Sequence, residues 1–123
     1  MPAGFSGVTQ IPNFTWDQAV VAATTAGVTA LTGPSSGTYE IIAIHLSAQG
    51  ANAATCNVQI VPSGGTAGVT HALYFAVDVA ANGTTTLHNY GAPLAILNAS
   101  ETLQFDASAN DRINAWVIYK IWG

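Results

Sequence analysis

The chain has 123 residues, and only 7% of them are charged, against roughly 25% in typical soluble domains. Its bases, Arg112 and Lys120, are outnumbered by acids, and the formal net charge is −4. Two bases cannot neutralise a run of phosphates or hold an anionic lipid surface, so we expect no direct nucleic-acid binding and no membrane attachment. The length suits a single domain with one core.

Short strand-like runs, bounded by clusters of Gly, Pro, Asn and Ser, follow one another along the chain. They cover residues 20–31, interrupted near Gly27, and then 38–48, 55–61, 70–79, 84–88, 93–97, 102–107 and 112–122. This spacing is typical of sandwiches. We predict an all-β, antiparallel, jelly-roll-like β-sandwich of seven or eight strands over residues 19–123. A helix over 16–25 is an alternative, because "TWDQ" can form a capping box on Thr15.

The first 18 residues, "MPAGFSGVTQIPNFTWDQ", separate large apolar side chains by Gly, Pro and Ser. We predict an extended N-terminal arm over 1–18 that lies on a neighbouring subunit through Phe5, Ile11, Phe14 and Trp16. An ordinary disordered terminus is the alternative. The segment lacks the basic and apolar regions of a secretory signal, so we expect synthesis in a reducing cytoplasm.

Alternation along each strand assigns its side chains to two faces. In the run 38–48 one face carries Ile42, Ile44 and Leu46, and the other carries Tyr39, Ile41, Ala43 and His45. In the run 70–79 the apolar face carries His71, Leu73, Phe75, Val77 and Val79. In most of the runs polar side chains line one face, as a sheet that is buried on one side requires.

The last run, "RINAWVIYKIWG", is apolar on both faces. One face is enough for a core, and the second carries Trp116, Ile118 and Trp122. Because Trp is enriched at interface hot spots, we predict that these residues bind a partner chain. The alternative is that the chain's own arm or a second sheet covers them.

No pattern points to catalysis. His45, His71 and His88 are far apart in sequence, and the best metal site that they offer is a three-fold axis with one His from each subunit. Cys56 follows an apolar pattern and lacks the nearby bases that activate a thiolate. Asp106 and Asp111 flank one turn and could act as paired carboxylates, although such acids are commonly only solvated. We therefore assign no catalytic, cofactor or metal residue and predict a protein that is not an enzyme.

A weakly charged surface favours association, and we predict a homo-oligomer, with a trimer favoured; a soluble monomer is the simpler alternative. A carbohydrate-binding module is an alternative from another class, in which exposed Tyr74, Tyr90 and Trp116 stack on sugar rings.

The segment from about residue 20 onward resembles small β-sandwich structural proteins of tailed bacteriophages. The resemblance rests on "NAATCNVQIVPSGG", on "YFAVDVAANGTTTL" and above all on "PLAILNASETLQFDASANDRINAWV". It implies a place in the virion, as a capsid cement or decoration protein bound to the major capsid protein or to other virion proteins, or as a tail or neck component. It carries no catalytic residues.

Overall fold

The computed structural model describes residues 14–123, and these residues form nine β-strands and no α-helix. The strands are β1 (Phe14–Ala22), β2 (Val28–Thr32), β3 (Thr38–Ala48), β4 (Ala54–Val61), β5 (Ala72–Val79), β6 (Thr84–His88), β7 (Ala95–Leu97), β8 (Thr102–Ala107) and β9 (Ile113–Trp122). A single turn of 3₁₀-helix, Val69–His71, precedes β5. In this part of the chain no helix is long and apolar enough to cross a membrane.

The strands form two antiparallel sheets that pack face to face, which confirms the predicted β-sandwich. The larger sheet has the order β1-β9-β3-β6, with β7 also paired to β3, and the smaller sheet has the order β2-β8-β4-β5. There are nine strands rather than seven or eight. The predicted run 20–31 holds the end of β1 and most of β2, which lie in different sheets and are separated by a turn at Gly27 with φ of 93°.

The core lies between the sheets and is built from the inward side chains of both. The larger sheet contributes Ile44, Leu46, Ile113 and Val117, and the smaller contributes Val58, Leu103 and Phe105; all of these are fully buried. Fully burying one such side chain contributes about 1.5–3 kcal/mol. Phe105 is the largest of the fully buried side chains.

A bulge in β3 corrects the predicted faces of that strand. Pairing with β9 runs from Ile41 opposite Tyr119 directly to Ala43 opposite Ile118, so Ile42 is an extra residue. The insertion shifts the alternation by one position. Ile41 therefore joins the core cluster with Ile44, although the sequence placed it on the opposite face.

A second irregularity corrects β5. The backbone of Ala76 has φ of 52°, and its N–H donates to the side-chain Oδ1 of Asn57 at 2.7 Å. The pairing with β4 shifts at this point, and Phe75 is 62% exposed rather than buried with Val79 as predicted. His71 also leaves the predicted apolar face, because it lies in the 3₁₀ turn before the strand.

Residues 14–18, predicted to end the arm, belong to β1, which also replaces the alternative helix over 16–25. The strand pairs with β9 without a break, from Phe14 opposite Trp122 to Ala22 opposite Asn114. The predicted boundary after residue 18 thus falls inside a strand of the sandwich.

Candidate interaction surface

The outer face of the larger sheet gathers most of the side chains predicted to bind a partner. β9 buries Ala115 and Val117 in the core, so its alternate residues point away from the core. β1 does the same on its side of the pair, with Ala19 and Val21 packed inward. We call the outward apolar set the tryptophan face: Phe14, Trp16, Val20, Trp116, Ile118 and Trp122.

The register of β1 against β9 makes the tryptophan face continuous. The opposed pairs are Phe14 with Trp122, Trp16 with Lys120, Gln18 with Ile118, and Val20 with Trp116. Side chains directly opposite one another in an antiparallel pair have Cβ atoms about 4.5–5.5 Å apart. The Phe14 and Trp122 rings are 4.8 Å apart between centroids, and those of Phe14 and Trp16 are 6.1 Å apart.

Three members of the tryptophan face are largely accessible: Trp16 is 56% exposed, Val20 is 54% and Trp116 is 44%. Phe14, Ile118 and Trp122 are half-buried between them. Interface centres are rich in aromatic side chains and poor in charge. The face has this composition.

Lys120 lies among these aromatic rings. Its Nζ is 4.6 Å from the centroid of the Phe14 ring and 5.1 Å from that of Trp16, and Glu40 is its cross-strand neighbour on β3. Cation–π contacts at exposed sites contribute about 0.5–1 kcal/mol. The lysine stem covers apolar surface while its charge stays near water, so the base is compatible with an apolar contact around it.

Polar side chains lie on both sides of Trp116 in the sheet. Trp116 donates its indole N–H to Oε1 of Gln18 at 3.1 Å, and His45 lies opposite Trp116 on β3. The Nδ1 of His45 is 3.0 Å from the hydroxyl oxygen of Thr86 on β6. An open depression of about 430 Å³ lies beside this row, lined by Trp16, Asp17, Gln18 and Ile118.

Trp122 carries an unmet hydrogen-bond donor. Its Nε1 is inaccessible to solvent and has no acceptor among residues 14–123. A buried donor without a partner costs about 1–3 kcal/mol. The ring of Trp122 is therefore part of the tryptophan face although its N–H makes no hydrogen bond, whereas the N–H of Trp116 has an acceptor.

The tyrosines predicted to stack on glycans lie in different places. Tyr74 on β5 is half-buried against the core, so it is not the open platform that the sequence predicted. Tyr90 is 93% exposed at the tip of the turn between β6 and β7. Its φ is 51°, its backbone N–H donates to Nδ1 of His88 at 3.2 Å, and its ring meets the His88 ring edge to face at 4.9 Å.

Of the other predicted contact residues, Phe5 and Ile11 lie outside the described residues. The sequence pattern missed Val20, because its role depends on the pairing of β1 with Trp116 on β9. It also missed exposed Phe75, which the bulge at Ala76 turns outward. The alternation in β9 was a sufficient signal for Trp116, Ile118 and Trp122.

The remaining reactive groups are held in structural contacts. Burial, and to a smaller extent the nearby carboxylate of Asp106, raise the pKa of the Cys56 thiol to about 12. Asp106 itself accepts hydrogen bonds from the side-chain amides of Asn57 and Gln59. Residues 14–123 hold no group of three or more His, Cys, Asp or Glu side chains placed to bind a metal ion.

Comparison with known proteins gives no family. No family model matches the chain, and no curated protein matches it. Among solved structures the chain is similar to one described as "Cyanophage Pam1 capsid asymmetric unit", with a TM-score of 0.46 and 15% identity, over 89% of this chain and 84% of that one. A likeness at this level carries no argument about function, which has to come from the surface described above.

Proposed function

We propose that the protein is a non-enzymatic structural subunit of a virion, a capsid cement or decoration protein that acts by burying its tryptophan face against neighbouring subunits. The observation that carries this proposal is the exposure of Trp16, Val20 and Trp116 on one continuous face. Burying apolar surface yields about 25 cal/mol per Å². In an assembly, symmetry repeats such a contact many times, so that a weak single contact can hold a particle together.

The low charge of the whole chain supports the same proposal. Only two bases and six acids are spread over 123 residues, so neighbouring copies repel one another little. The sequence resemblance to small phage β-sandwich proteins supports the virion as the site of action, with the major capsid protein as a further partner. The strand order, with four principal strands in each sheet, supports a jelly roll. A homotrimer is the assembly that we propose around the tryptophan face.

The test of the tryptophan face is a matched pair of substitutions. Trp116→Gln removes an exposed aromatic residue from the face, and Phe75→Gln removes an exposed aromatic residue from β5 in the smaller sheet. Because truncating a central interface aromatic costs about 2 kcal/mol or more, we expect Trp116→Gln to weaken self-association about thirtyfold or more. Sedimentation equilibrium measures the association constant, and thermal unfolding checks that both variants fold. Equal effects from the two variants would contradict the proposal.

The place in the virion needs a separate experiment. Mass spectrometry of purified particles from the source of the chain, followed by antibody labelling in the electron microscope, distinguishes the candidate positions. Label over the whole head supports a cement or decoration protein, and label at one vertex or along the tail supports the alternative of a neck or tail component. Absence of the chain from every particle fraction would remove the virion assignment.

A carbohydrate-binding module is a second candidate, favoured by Tyr90 alone. A bulky residue at positive φ is unusual, and the contacts with His88 hold this exposed ring at the tip of its turn. A glycan array with the intact protein and a Tyr90→Ala variant tests the idea. Binding that is lost in the variant supports it, and a negative array for the intact protein eliminates it.

A further inference from the structure

Among residues 14–123 the two sheets end in four edges, which differ in how well they are protected against pairing. In the smaller sheet β2 has only five residues and a register shift, and β5 is bulged at Phe75 and Ala76. The far edge of the larger sheet is divided between β6, of five residues, and β7, of three. Short strands and bulges are the devices by which proteins protect their edges.

The β1 edge lacks these protections. It has nine residues, pairs with β9 without a register shift, contains no Pro and carries one charge, Asp17. Among residues 14–123 no strand pairs with its other side. A long, regular and weakly charged edge is a template for another strand.

The backbone shows which groups this edge offers. The N–H of Gln18 donates to Oδ1 of Asp17 at 2.8 Å rather than to β9, so it points to the free side. Free and paired backbone groups alternate along an edge strand. Trp16 and Val20 therefore present their N–H and C=O groups on the same side as Gln18.

We propose that two copies of this chain associate by antiparallel pairing of β1 with β1, with Gln18 opposite Gln18 of the second copy. This inference rests on the proposed structural role and names one of its contacts, a two-fold contact distinct from the trimer. The register places Trp16 opposite Val20 of the second copy, and by symmetry Val20 opposite Trp16. The two most exposed side chains of the tryptophan face on β1, at 56% and 54%, thus cover each other twice.

Charge and the matching of apolar side chains favour this register over its two neighbours. A shift that centres the pair on Asp17 places two carboxylates directly opposite each other, which is destabilising. A shift that centres it on Ala19 places Trp16 opposite Ala22 and leaves Val20 opposite Gln18. Only the register centred on Gln18 pairs Trp16 with Val20 and also keeps the Asp17 side chains apart.

Asp17 regulates access to the edge in the single chain. One of its oxygens accepts the Gln18 N–H, and the other is 3.3 Å from the hydroxyl of Tyr119. Pairing transfers the Gln18 N–H to the carbonyl of Gln18 in the second copy, while Asp17 keeps its contact with Tyr119. The carboxylate can thus satisfy the edge donor until a second strand arrives.

Cysteine cross-linking tests the register directly. Residues in a hydrogen-bonded antiparallel pair have Cα atoms about 5.5 Å apart, within the range of disulfides. Gln18→Cys is therefore expected to give a covalent dimer on mild oxidation. In Ala22→Cys, an exposed position on the same face, the two sulfurs lie about 27 Å apart along the strand and no dimer is expected. The native Cys56 is buried and serves in both variants as an unreactive background.

A second variant tests the backbone hydrogen bonds of this contact. Val20→Pro removes an N–H that points away from β9, which an edge strand tolerates. We expect it to abolish the cross-link in a Gln18→Cys background while thermal unfolding stays cooperative. Equal cross-linking of Gln18→Cys and Ala22→Cys, or none in either, would overturn the β1 pairing. If Trp116→Gln still weakens association in that case, the structural role survives without the edge contact.

Discussion

The outer faces of the two sheets differ in how their side chains are covered: one carries a hydrogen-bonded polar network, and the other carries exposed aromatic rings. On the smaller sheet, Asp106 accepts hydrogen bonds from Asn57 and Gln59, and their amide oxygens accept the backbone N–H groups of Ala76 and Gly68. Gln59 is only 3% exposed as a result. The tryptophan face of the larger sheet leaves Trp16 and Trp116 exposed to solvent.

This contrast indicates which side chains have their contacts within one subunit. The polar groups of Asp106, Asn57 and Gln59 on the smaller sheet have their partners within one subunit, although Phe75 at the edge strand β5 is exposed. The large apolar side chains on the larger sheet are unfavourably exposed to water, and covering them with a neighbour lowers the free energy. This difference supports the proposal that the larger sheet carries the contacts with neighbouring subunits.

The largest expected effect comes from breaking the polar network of the smaller sheet. Asp106→Ala leaves the Asn57 and Gln59 amides without their acceptor, and we expect it to lower the free energy of unfolding by about 2–3 kcal/mol. Asp78→Ala, at an exposed position on β5, is the control and is expected to change it by less than about 0.5 kcal/mol. Urea unfolding measures both. Similar values for the two variants would show that the Asp106 network is not what holds this face together.

The next effect is a dependence of stability on pH through one buried group in each sheet, Cys56 and Tyr119. Burial first, and Asp106 second, raise the pKa of Cys56 from 9.0 to about 12. Burial first, and then Asp17, raise that of Tyr119 from 10.0 to about 12. Both groups hold their protons more tightly when folded, so their contribution to stability is complete below the unfolded pKa and is lost as the pH rises towards 12.

We therefore expect the free energy of unfolding to fall as the pH rises through 9, where half of the Cys56 thiols are ionised in the unfolded chain. The slope for this group approaches about 1.4 kcal/mol per pH unit. Cys56→Ala should remove most of the loss between pH 9 and 10, leaving the smaller loss from Tyr119. Urea unfolding over this range is the measurement. A wild-type curve that is flat from pH 9 upward would contradict the burial of the thiol.

The sequence could predict what local patterning determines. The bounds of β3, β6 and β8 agree with the predicted runs 38–48, 84–88 and 102–107, because turn residues bracket each run. Alternation in β9 was enough to place Trp116 and Trp122 outside the core. These features depend only on neighbours along the chain.

Long-range contacts determine the rest. No local pattern predicts that Ile42 is an extra residue in β3. Nor does one predict that Asn57 accepts the N–H of Ala76 where Phe75 turns outward. The tryptophan face needs β1 beside β9, and the hydrogen bond between Trp116 and Gln18 spans 98 positions in sequence. Alternation can say that a side chain points outward, but only the pairing of strands says which other side chains lie beside it.

The smallest expected effect distinguishes two members of the tryptophan face. Trp122→Phe removes an N–H that has no acceptor among residues 14–123 while keeping an aromatic ring against Phe14, so we expect a gain of about 1 kcal/mol in the free energy of unfolding. Trp116→Phe removes an N–H that donates to Gln18, and we expect a loss of about 0.5–1 kcal/mol. Urea unfolding of dilute protein measures both. The two substitutions are therefore expected to change the free energy of unfolding in opposite directions. A decrease in Trp122→Phe as large as that in Trp116→Phe would mean that the Trp122 N–H has an acceptor outside residues 14–123. Trp122 would then count among the side chains whose polar groups are satisfied, and the open part of the tryptophan face would consist of its neighbours on β1 and β9.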